Sequence, residues 1–149
     1  MPIQRGKLYD LDKVQLVIDG NRISGFSGDG QIEVENLGPM ATIQEGADGL
    51  ITRSRRLGYG LRVTVTLMET ARSYAILGRL MQEMDKEEVP VDRSISLYDP
   101  LNGDEWSDSQ FWFEDGPGQS KGAEAGAREF VLIVPNGRAN AKYGANLLP

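Results

Sequence analysis

Residues 31–67 read QIEVENLGPMATIQEGADGLITRSRRLGYGLRVTVTL. Ile32 and Val34 alternate with Gln31, Glu33 and Glu35, and Leu61, Val63, Val65 and Leu67 alternate with Arg62, Thr64 and Thr66. An apolar period of two marks strands with one buried and one wet face. Met40–Glu45 and Leu50–Arg55 flank Gly46-Ala47-Asp48-Gly49, a turn-forming tetrad between two polar strands, which predicts a long antiparallel ribbon. Nothing in the stretch carries catalytic chemistry. Polar-faced ribbons build surfaces, so an assembly protein is expected before an enzyme.

Working outward, Val14, Leu16 and Ile18 alternate as a first strand, Gly20-Asn21 is a hairpin turn, and Arg22–Ser27 returns. Residues 1–12 are polar without a period and read as an N-terminal arm. Beyond the ribbon the period changes. From Ala71 to Lys86, Tyr74, Leu77, Leu80, Met81 and Met84 fall on one face of an amphipathic helix, with Thr70 as the expected N-cap. Ser94–Tyr98, the aromatic-rich Gln110–Glu114 and the apolar Phe130–Val134 read as further strands, the last as central. Residues 136–149 read as a polar C-terminal tail. The order of strands, one helix, then strands predicts a single domain, residues 1–149, of mainly β, α+β class.

The chain has 149 residues, a formal net charge of −6, and neither cysteine nor histidine. Disulfides, thiolate nucleophiles, the usual zinc sites and the commonest general base are therefore excluded. The acidic balance argues against tight nucleic-acid binding, which calls for a basic stripe. No N-terminal run resembles a signal peptide and no stretch approaches the ~20 apolar residues of a membrane span, so a soluble, non-secreted protein is expected.

Charge is ordered along the chain. Between Arg22 and Arg53 every charged residue is acidic: Asp29, Glu33, Glu35, Glu45 and Asp48. From Arg53 to Arg79 stand Arg53, Arg55, Arg56, Arg62, Arg72 and Arg79 against Glu69 alone. Either the two sets pair across neighbouring strands, or they form acidic and basic surfaces that meet between copies. Asp99, Asp104, Glu105 and Asp108 do not match the spacing of an EF-hand calcium loop. Trp106, Phe111, Trp112 and Phe113 read as core aromatics with Trp112 on the opposite strand face.

Three segments together, VQLVIDGNRISG at 14–25, GADGLITR at 46–53 and LRVTVTLMET at 61–70 running into a helix, resemble the bacteriophage tail tube proteins of contractile-tailed phages, related to the inner-tube proteins of contractile injection systems. The resemblance covers roughly residues 8–135. It implies a tail-tube-type β-sandwich or barrel with one flanking α-helix and a protruding β-hairpin. It further implies a structural virion protein of the tail, assembled in the host cytoplasm as hexameric rings that stack into a tube for genome DNA. The implied partners are other copies of the chain, then tail sheath, tape measure, baseplate and tail terminator proteins. Neither cofactor nor membrane is expected. DNA should pass without specific binding, because an acidic lumen repels phosphates.

On this reading Glu33, Glu35 and Glu45 are candidates for the channel wall. Gly46, Ala47, Asp48, Gly49, Arg53, Arg55, Arg56 and Tyr59 are candidates for ring or stacking contacts, with the ribbon and the 57–60 loop ordering on a neighbour. An inner-tube or tube-initiator protein of a phage-like injection system is the related alternative. A small acidic carbohydrate-binding β-sandwich is the alternative from another class, and it would need a concave aromatic and carboxylate cleft.

Overall fold

The computed structural model describes residues 13–25, 32–55, 57–89 and 91–148. The expected arm at 1–12, the end of the second expected strand and Arg56 lie outside these.

The fold is mainly β with one α-helix among the described residues. Two four-stranded antiparallel sheets enclose the core. The first has the order β2-β1-β7-β8, from β1 (Gln15–Ile18), β2 (Asn21–Arg22), β7 (Ile95–Tyr98) and β8 (Glu105–Asp108). The second runs β3-β6-β10-β9, from β3 (Ile32–Asn36), β6 (Leu61–Met68), β9 (Trp112–Asp115) and β10 (Ala127–Val134). The remaining strands, β4 (Ala41–Glu45) and β5 (Ile51–Arg55), pair with each other as a separate two-stranded ribbon.

Period-two patterning places the core. Val63, Val65 and Leu67 of β6 and Phe130, Leu132 and Val134 of β10 are fully buried, facing Leu16, Ile18, Ile95, Leu97 and Trp106 of the other sheet. Helix α1 (Arg72–Asp85) adds Leu77 and Leu80, with Tyr74, Met81 and Met84 packed at the margin. The Tyr74 and Phe113 rings each lie 6.1 Å from Phe130. Phe111 is buried and Trp112 is half-exposed on the opposite face, as the strand alternation requires.

Several expectations are corrected. The first hairpin turns at Asp19-Gly20, one residue early, because both residues adopt positive φ, the conformation of a type I′ turn. The α1 N-cap is Ala71 without a side-chain bond, not Thr70, since Glu69-Thr70 are spent in the turn that leaves β6. Here Gly25 is required: its φ is +77°, and a Cβ would sit 2.5 Å from the Ala71 Cβ. Strand β8 shows no period in the sequence, because in Glu-Trp-Ser-Asp only Trp106 faces the core, opposite Leu97. The segment after Val134 is bound along that edge. Glu105 and Lys142 exchange backbone bonds, Asn140 Oδ1 accepts from Ser107 N, and Asn146 N donates to Asn102 O. This covers most of an edge that would otherwise present unpaired backbone groups.

Candidate assembly surfaces

The sheet β3-β6-β10-β9 has one face in the core and one face open. In antiparallel register, opposed residues share a face. Glu33 stands opposite Thr64, Glu35 opposite Arg62, Glu129 opposite Thr66 and Val131 opposite Thr64, all on the open side. Ile133 and Trp112 continue it. Arg62 is the cation among them. Its Nε donates to Glu114 at 2.8 Å, and its Nη1 donates to Glu35 at 3.3 Å. These contacts, Glu114 foremost, raise the Arg62 pKa further above its usual value. The face is thus acidic, with Glu33, Glu35, Glu114 and Glu129 around one arginine. Of the expected channel residues, Glu33 and Glu35 are brought together. Glu45 is not, since it ends β4 on the ribbon.

The ribbon is the second surface. Register runs from Ala41↔Arg55 to Glu45↔Ile51. The turn closes through Gly46 N to Leu50 O at 2.7 Å, and Asp48 Oδ1 accepts from Leu50 N at 3.1 Å. Gly49 takes φ +85°, so glycine is needed there. Apart from half-buried Ala41, every residue of β4 and β5 is exposed, including Ile43 at 69% and Ile51 at 65%. Gly46, Ala47, Asp48 and Gly49 form the tip; Arg53, Arg55 and Tyr59 lie towards the base. The loop at 57–60, expected to order only on a neighbour, is tied within the chain. Leu37 N donates to Gly60 O, and Arg138 donates from its backbone N to Tyr59 O and from Nη2 to Gly58 O.

The remaining acidic cluster serves the backbone. Asp99 Oδ1 accepts from Leu101 N and Asn102 N, Asp104 Oδ1 from Gly144 N, and Asp108 from Gln110 N and Asn136 N. Among the described residues no group of His, Cys, Asp or Glu is placed to hold a metal ion.

Neither a protein-family profile nor a curated protein sequence matches this chain. Among solved structures, the anti-feeding prophage cap, described as a tube-terminating cap and determined by cryo-EM, aligns over 91% of this chain and 91% of its own, with a TM-score of 0.51 and 9% identity. The chain is similar in fold to that cap. At this identity the likeness is one of fold. It agrees with the mainly β fold with one helix that the sequence resemblance implies.

Sequence reasoning missed Glu114, Glu129 and Arg138. Glu129 was open to inference by extending the alternation of β10 back from Phe130. Arg138 had no signal, since it lies in the aperiodic run Asn136–Asn140.

Proposed function

We propose that this chain is a structural subunit of the tube of a contractile, phage-tail-like particle, without catalytic activity. Copies close into hexameric rings, the rings stack, and the open face of β3-β6-β10-β9 lines the channel through which genome DNA passes. The observation that carries the reading is the fold likeness over nine-tenths of both chains. The acidic open face supports it, because a wall of Glu33, Glu35, Glu114 and Glu129 repels phosphates and lets DNA slide. The exposed ribbon, with Ile43 and Ile51 in water, supports burial against another copy.

Sheath, tape measure, baseplate and terminator proteins are the partners this role implies. A second reading, a tube terminator, is favoured by the description of the structural neighbour as a tube-terminating cap. Negative-stain microscopy of the purified chain, with mass measurement, separates them. The tube subunit gives rings that grow into long tubes at high concentration, and the terminator gives single rings. A strictly monomeric chain at every concentration rejects both.

A further inference from the structure

At the base of the ribbon lies a cleft of about 380 Å³ lined by Met40, Arg53, Arg55, Tyr59, Arg138 and Ala139. Tyr59 organises it. Arg55 donates from Nη2 to the Tyr59 hydroxyl at 2.9 Å, and the Arg138 Cζ lies 5.3 Å from the ring centroid. Nε and Nη1 of Arg138 are buried and have no acceptor among the described residues. Among the described residues Arg53, Arg55 and Arg138 make no ion pair, whereas Arg62, Arg93 and Arg128 each hold a carboxylate. Three guanidinium groups in one cleft with no carboxylate among the described residues, in a chain of net charge −6, form a site that suits an anion. Guanidinium geometry favours a carboxylate.

The ribbon's other end carries the complement. Glu45 is exposed and without an ion pair among the described residues, and Asp48 uses one oxygen on the turn. Tip and base are separated by roughly 13 Å of paired strand, so a tip does not reach the Arg55 end of its own ribbon. By register Glu45, Ile43, Ile51, Arg53 and Arg55 share a face: Ile51 stands opposite Glu45 at the tip, Ile43 opposite Arg53 midway, and Arg55 opposite Ala41 at the base.

We infer that the Arg53–Arg55–Tyr59–Arg138 cleft is a socket for the Glu45–Asp48 hairpin tip of a second copy of this chain. Each copy has one tip and one socket, so the contact is heterologous and propagates. The inference rests on the proposed tube role and names the residues of its stacking contact.

The test uses the full chain in two charge-reversed forms, Arg53→Glu with Arg55→Glu, and Glu45→Arg with Asp48→Arg. Glu45→Arg alone is the control that keeps the Asp48 turn bond, and circular dichroism checks the fold. Sedimentation velocity and microscopy should show each reversed form losing end-to-end association by about tenfold or more, and an equimolar mixture recovering it. Added salt should weaken the wild-type contact. Reversed forms that stack like wild type, a mixture that stays apart, or wild type that stops at closed pairs would overturn the socket. Wild-type rings that never stack would overturn it too, while leaving ring closure intact. A chain that forms no rings counts against the tube role, and the mixture of reversed forms then still reads the socket directly.

Discussion

Glu69 and Arg128 show how one ion pair places a loop. Arg128 points to the core side of β10, is buried, and meets the Glu69 carboxylate at the end of β6. It also donates to Ser120 O at 2.7 Å, and Lys121 reaches Glu69 at 3.4 Å, so the 116–126 segment is drawn over the pair. The hydrogen bond from the Gly126 backbone, followed by Lys121, holds the Glu69 carboxyl below its ordinary pKa. A depressed carboxyl contributes stability above its unfolded value of about 4.3, and that contribution is lost as pH falls through the folded value. Glu69→Gln should therefore be less stable than wild type at neutral pH, and the gap should close on acidification. Thermal melts between about pH 3 and pH 6 test this; a gap that is constant with pH would show that Glu69 is not a source of acid sensitivity.

Elements differ in what holds them. Strands β6 and β10 are paired along their whole lengths and bury one face each. The ribbon pairs with itself and buries almost nothing, so its order rests on turn chemistry and cross-strand bonds. Gly49 is the sensitive point. A side chain in the left-handed region costs about 1–2 kcal/mol, more for a β-branched residue. Gly49→Val should lower hydrogen-exchange protection of the Gly46 and Leu50 amides by about tenfold, with the β6 and β10 amides unchanged. Equal loss of protection in β6 would mean that ribbon and sandwich open together.

For the whole molecule, the consequence lies in how charge is distributed between two surfaces. The sandwich turns an acidic sheet outward, and the ribbon base gathers Arg53, Arg55 and Arg138, which hold no carboxylate among the described residues. If the sheet lines a channel, Glu33→Lys with Glu129→Lys replaces two carboxylates per copy by ammonium groups at exposed positions. Assembled wild type should leave DNA free at moderate salt. The variant should retain it, with an affinity that falls steeply as salt rises. Variant particles that remain indifferent to DNA would place these residues away from the channel.

The mainly β class, the ribbon with its Gly46–Gly49 turn, the helix face and the aromatic alternation at 111–113 were legible in the chain, because each is a local rule: a period of two, a period near four, or a turn residue. Strand β8 was not, since a lone Trp106 between acids has no period. Nor was the fate of the acidic run. Glu33 and Glu45 look alike in sequence, yet one faces out from a sheet and the other ends a ribbon, because register with β6 or β5 decides it. The half-compensated face, where Arg62 takes both Glu35 and Glu114, joins residues 52 positions apart. The Tyr59–Arg138 cleft likewise joins a loop to the aperiodic segment after β10. Such contacts depend on how sheets pack and where a tail returns, and those are settled by burying the core, not by neighbours along the chain.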